Sequence, residues 1–241
     1  MKNLGLGILI FLFVLGFSGI AAAVPNQASD VAKEKASALE KIEFIHYKKD
    51  FVKPDQTRGP KTESCYKLLR IEWKSLPVGY VINPTNPQNL NSIFIENAVQ
   101  ASAETWDIET SKELMNDSYA IDSTAAYGVL DSKNSIVFGD YPTDGVIAVT
   151  SIWRNPAIKA IAEFDIMLNT DYTWGDAVLD PSVMDLQSIA THELGHGIGL
   201  ADIYTSSCSE VTMYGYSNNG ETEKRTLESP DITGLRKIYG I

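Results

Sequence analysis

Apolar residues recur along the chain with two periods, and the places where the period switches mark the expected elements. Leu4 to Ile20 is an almost unbroken apolar run, preceded by Lys2 and followed by Ala21-Ala22-Ala23. A basic start, an apolar stretch and a small-residue site read as a secretory leader, residues 1–23, cut after Ala23. The run approaches the length of a membrane span, so an uncleaved anchor is the competing reading. Residues 24–62 form an N-terminal extension, a candidate propeptide. They are rich in Ala, Lys and Glu to about residue 40, strand-like over Glu43–Tyr47 and broken by Pro and Gly over Lys53–Lys61.

The main domain is expected over 63–241. Leu69–Trp73 and Gly79–Asn83 are strand candidates, followed by a helix from about Ser92 to Asp107. Ile95, Val99, Ser102 and Trp106 line one face of that helix, with Asn91 or Ser92 as its cap. Ile136–Phe138 and Val146–Ile152 read as strands. Over Ile161–Asn169 apolar residues alternate with Glu163, Asp165 and Asn169, the pattern of a sheet with one wet face. The helical period then returns. Asp185 can cap a helix through Leu186, Ile189, Ala190 and Leu194 up to Gly197, and Ser229-Pro230-Asp231 opens a last helix ended by Gly240. This order predicts an α+β fold.

With 20 basic and 31 acidic residues the formal net charge is −11. Such a chain repels phosphate backbones and anionic lipid, which argues against nucleic acid as a partner. No stable membrane partner is expected unless the leader stays attached. In an exported chain the two cysteines, Cys65 and Cys208, are expected to form one disulfide. The alternative is that Cys65 binds a metal and keeps a proenzyme latent. Asn116-Asp117-Ser118 is a single glycosylation sequon.

The chemistry concentrates in His192-Glu193-Leu194-Gly195-His196-Gly197-Ile198-Gly199-Leu200-Ala201-Asp202. Helix positions i and i+4 lie one above the other, so His192 and His196 can share one tetrahedral zinc. Glu193 is rotated about 100° from His192, too far to ligate but able to reach a water on the metal. Gly199 can adopt the positive φ that ends the helix, and the resulting turn brings Asp202 back as third ligand. A fourth position left to water marks a catalytic zinc. Val211-Thr212-Met213-Tyr214-Gly215-Tyr216 follows, with a methionine in a tight apolar turn.

The zinc helix followed by a methionine turn resembles the metzincin metallopeptidases, and within them the matrixins and their secreted prokaryotic relatives. Asp185–Thr191 and Asp231–Gly240 are similar to matrixin segments too. The resemblance implies a twisted mixed sheet, an active-site helix, the methionine turn and a C-terminal helix. It also implies a secreted zinc endopeptidase with one catalytic Zn2+, held by His192, His196 and Asp202. Glu193 would be the general base that works through the zinc-bound water, with Gly199 and Met213 structural at the site. Its partner would be an extended polypeptide lying on Gly145–Ile152 as an edge strand. Val146, Ile147, Ala148, Tyr214 and Tyr216 are the candidate contacts, and Gly215 to Glu228 would wall the pocket.

This chain departs from the matrixin pattern in three ways. Asp202 stands where the family usually has histidine. The histidines of a second, structural zinc are missing, and so is the cysteine-switch sequence around Cys65. A catalytic role for Tyr214 or Tyr216 would depart from the metzincin position, which is Gly215 here. Calcium is a further candidate through Asp165, Asp171, Asp176 and Asp180, but their spacing matches no defined loop. His46 is expected on the surface of the extension, because one histidine without partners makes no site. Two other readings stay open: a catalytically silent, exported zinc-binding module, and another metal hydrolase such as a cell-wall amidase.

Overall fold

A computed structural model describes residues 39–51 and 64–241. The leader and the remainder of the extension lie outside the described residues. Among these, no helix is long and apolar enough to cross a membrane.

Strand β1 (Glu40–Lys48) comes from the extension; β2 (Val81–Ile82) leads to helix α1 (Ser92–Asp107). Then come β3 (Ala120–Ile121), β4 (Ser135–Gly139), β5 (Val146–Asn155) and β6 (Ala160–Asn169). The short pair β7 (Trp174–Gly175) and β8 (Met184–Asp185) precedes α2 (Leu186–Gly197). Last are β9 (Tyr216–Ser217) and α3 (Ser229–Tyr239). The main sheet runs β3-β2-β4-β6-β5-β1-β9. It is mixed: β5 is antiparallel to β6 and β1, and the other pairings are parallel. The architecture is the expected α+β.

Helix α1 starts where the Asn91 side chain accepts from the backbone N–H groups of Ile93 (2.8 Å) and Phe94 (3.3 Å), donors the first turn leaves unpaired. Its stripe of Ile95, Ala98, Val99, Ser102, Ala103 and Trp106 is buried at helical spacing. The indole of Trp106 donates to Thr191 O (2.8 Å) and Ser102 Oγ to Gln187 O (3.0 Å), which sets α1 directly behind α2. Asp185 caps α2 by accepting from Ser188 N (2.8 Å).

Four expectations need correction. Leu69–Trp73 makes only one isolated bridge, Glu72 to Ala160, with a second at the preceding residue, Leu68 to Leu200, because Arg70 at φ 59° interrupts the extended run. The Gly79–Asn83 strand shrinks to Val81–Ile82. The β6 strand has no wet face: Glu163, Asp165 and Asn169 are buried. The loop over residues 127–135 covers the two carboxylates, and Asp165 accepts from the N–H groups of Gly128 (2.8 Å), Val129 (3.2 Å) and Ser135 (3.1 Å), while the Asn169 amide donates to Val146 O (2.7 Å). Finally, β5 is not an edge, because β1 pairs along it from Glu40↔Arg154 to Tyr47↔Val146.

Candidate metal centre

The helix stacks His192 and His196 on one face of α2 with ring centroids 4.8 Å apart. After Ile198 the chain turns at Gly199, φ +105°. There Gly199 N donates to His196 O (2.9 Å) and Leu200 N to Gly195 O (3.0 Å), closing the helix in a Schellman pattern. A Cβ at Gly199 would lie 2.6 Å from Ile71 O, so the turn needs glycine for space as well as for φ. The turn returns Asp202, whose Oδ1 lies 3.2 Å from His192 Nε2 and 3.4 Å from His196 Nε2.

These three atoms are buried and none has a hydrogen-bond partner. Buried polar atoms without partners are rare, and three converging on one point fit a shared cation. The donor set supports that fit. His192 Nδ1 lies 2.7 Å from Thr212 O and His196 Nδ1 2.9 Å from Leu200 O. Donating Nδ1–H to a carbonyl fixes the tautomer that leaves the Nε2 lone pair for a metal. Burial pushes His192 down to about 4, which keeps it neutral. For His196 burial acts in the same sense, but Asp202 and Glu193 outweigh it and the net shift is upward. Asp202 is held well below the carboxylate range: burial opposes this, and the two histidines prevail. Tyr204 Oη donates to its other oxygen at 2.9 Å.

Glu193 is also fully buried, and burial pushes it up to about 7. Thr150 Oγ1 of β5 donates to its Oε2 at 2.5 Å. Beneath the site Met213 is 1% exposed and packs against Gly195, where a Cβ would come within 2.8 Å of Trp106 and collide with the methionine sulfur. The turn is anchored by Asp231 of α3, which accepts from Thr212 N (2.8 Å) and Met213 N (3.2 Å). It is also anchored by the buried Lys224 ammonium, which donates to Thr212 O (3.1 Å) and Tyr214 O (2.5 Å).

The expectation for His46 is overturned. It is fully buried, with Nδ1 3.1 Å from Glu193 Oε1, Nε2 2.9 Å from Ser217 Oγ, and its ring 4.0 Å from that of His192. β1 carries it there, and that pairing joins segments a hundred residues apart. Val146, Ile147 and Ala148 lie buried in β5. Tyr214 and Tyr216 stack edge to face at 5.6 Å in the wall, while the hydroxyl bonded to the ligand set is that of Tyr204. His46, Thr150, Tyr204, Ser217, Lys224 and Asp231 escape sequence reasoning. Only Tyr204, two residues past Asp202, carries a local signal. The cysteine alternatives resolve: Cys65 is bonded to Cys208, Cα–Cα 5.5 Å, so it is not a metal latch. The proposed calcium carboxylates do not converge. Asp165 is taken by N–H donors, Asp176 by Arg225 at 2.6 Å and Asp180 by Ser182 at 2.7 Å.

Comparison with known proteins agrees with this geometry. The matrixin family model (Peptidase M10) matches residues 72–240. Human (Homo sapiens) matrix metalloproteinase-16 is 26% identical over 199 residues, 78% of this chain and 31% of that protein. Matrilysin of Rattus norvegicus is 34% identical over 176 residues, 70% of this chain and 59% of that protein. Metalloendoproteinase 1 of Glycine max is 44% identical over 69 residues, 28% of this chain and 21% of that protein. The chain spans about a third of the length of matrix metalloproteinase-16. With the family match running over most of the described fold and through the ligand helix, the methionine turn and α3, the chain belongs to the matrixin family of metallopeptidases.

Proposed function

We propose that this chain is an exported, zinc-dependent endopeptidase with His192, His196 and Asp202 as ligands and Glu193 as general base. The observation that carries the reading is the convergence of three buried, unpartnered ligand atoms beside a buried carboxylate. When bound, zinc supplies Lewis acidity toward the scissile carbonyl and the attacking water. Thr212 O and Leu200 O hold the two imidazoles in register, and Tyr204 holds Asp202. Glu193 takes a proton from the water and returns it to the leaving amine nitrogen, a task suited to a carboxyl near 7. An extended polypeptide pairs with β5 on the side where β1 lies in this structure, so β1 must leave that ladder first. Residues 1–23 serve as export leader, 24–62 as extension and 63–241 as catalytic domain.

The test measures zinc content and cleavage of quenched peptides for the full chain and Glu193→Ala. Each is assayed intact and after cutting at a sequence-specific site placed within residues 52–63. One zinc per chain in both, with cleavage only where Glu193 is present, supports the reading. Zinc bound without cleavage in any form makes the chain a zinc-binding module, and absence of zinc binding refutes the site.

A further inference from the structure

We propose that residues 40–48 are an intramolecular inhibitor, a strand that fills the substrate groove and seats His46 on the catalytic carboxylate. The proposal rests on the peptidase reading for what is blocked; the occupancy itself is geometric. Strand β1 pairs with β5 from Glu40↔Arg154 to Tyr47↔Val146, taking the ladder a substrate would use. On its other side Tyr47 and Lys48 pair with Tyr216 and Ser217 of β9, so the strand is held between both walls.

Strand alternation turns Phe44 and His46 toward α2. Phe44 stacks on His196 with centroids 4.3 Å apart and planes at 18°. His46 packs on His192 and reaches Glu193 Oε1, while Thr150 already holds Oε2. Both carboxylate oxygens are thereby engaged, and the His46 ring takes the place beside Oε1. In the tautomer with hydrogen on Nδ1, His46 donates to Glu193 and accepts from Ser217, so both nitrogens of the buried imidazole are satisfied in this seat. The polar clamps at the strand ends, Glu40 with Arg154 and Lys49 with Glu221, are exposed or half-exposed and contribute little. The ladder and the two rings hold the strand. Cys65 cannot serve this purpose, since it is bonded to Cys208.

Tethering makes such a plug effective. At an effective concentration of about 1 mM, a strand that binds in trans at ~10 μM fills the groove about 99% of the time. Displacing it should raise cleavage about 100-fold by the same arithmetic.

The test uses the full, disulfide-bonded chain as wild type and as Ile45→Pro, since proline cannot continue a central strand. Alongside runs the chain carrying the protease site within residues 52–63, cut and diluted. One readout is binding of a fluorescent peptide copying residues 39–51, with and without zinc. The other is cleavage of a quenched peptide with zinc. The wild type should bind no labelled peptide, whereas Ile45→Pro and the cut chain bind one each. The same peptide with His46→Ala should bind at least ~10-fold more weakly, for loss of a charge-assisted hydrogen bond. Cleavage should rise about 100-fold on release, as estimated above. Equal peptide binding by intact and released chains, or equal cleavage, overturns the proposal. Self-cleavage of the wild type between Ile45 and His46 overturns it too, because the strand is then a substrate. Peptide binding that follows release, with no cleavage in any form, supports the blocking strand and sinks the peptidase reading instead. If Ile45→Pro does not fold, the cut chain supplies both readouts.

Discussion

Replacing Gly199 with alanine tests whether the turn after α2 builds the metal site. The backbone there sits at φ +105°, and holding an L-residue in left-handed backbone costs about 1–2 kcal/mol. The new Cβ would lie 2.6 Å from Ile71 O, a backbone atom that no rotamer change can move aside. The segment before Trp73 is tied to the same turn, since Leu69 N donates to Gly199 O at 2.8 Å, so relief of the clash stretches that bond. Overpacking of this kind adds about 1–3 kcal/mol. The sum, about 2–5 kcal/mol, is a large part of ordinary domain stability and still compatible with folding. The same shift moves Leu200 O, which orients His196, and Asp202 three residues on. Loss of such support commonly weakens metal binding about 10–100-fold. Urea unfolding of the metal-free chain and zinc competition with a chromogenic chelator measure the two effects separately. A stability loss under about 0.5 kcal/mol, within the ordinary range for a neutral surface change, would refute the reasoning.

Two further outcomes follow from the fold. Burial pushes Asp165 up to about 6, against the three N–H groups that favour its charge. A carboxyl raised above its ordinary 3.8 keeps a proton in the native state that the unfolded chain has released. Stability should therefore fall as pH rises from about 4 to about 6, by at most about 3 kcal/mol. Asp165→Asn should flatten that slope in urea titrations at pH 4, 5, 6 and 7, and an unchanged slope rejects the assignment. The disulfide closes a loop with a sequence separation of 143. In the chain-entropy account its removal by the double change Cys65→Ser and Cys208→Ser costs about 5 kcal/mol at most, and a loss below about 1 kcal/mol would show that the unfolded chain gains little from it.

The zinc helix was legible because its information is local. Spacing of four places two histidines on one face, and glycine three residues later supplies the turn, so His192, Glu193, His196, Gly199 and Asp202 come together within eleven residues. Helix α1 and its Asn91 cap were legible for the same reason. Local pattern misled at β6, where alternating carboxylates imitate a solvated face. The loop over residues 127–135 turns that face inward by paying the carboxylates with backbone N–H groups. The pattern of Glu43–Tyr47 was strand-like, and a strand forms there, but nothing in five residues states which edge it will join.

By itself, the sequence determined the α+β order of elements, the ligand spacing and the family, since each rests on residues within a few turns of one another. Tertiary structure alone decided that His46 is buried on Glu193, that β5 lies inside the sheet, and that Lys224 and Asp231 anchor the methionine turn. These contacts join positions separated by up to 147 residues. They are chosen by the global closing of one sheet around one core, which a local periodicity cannot encode.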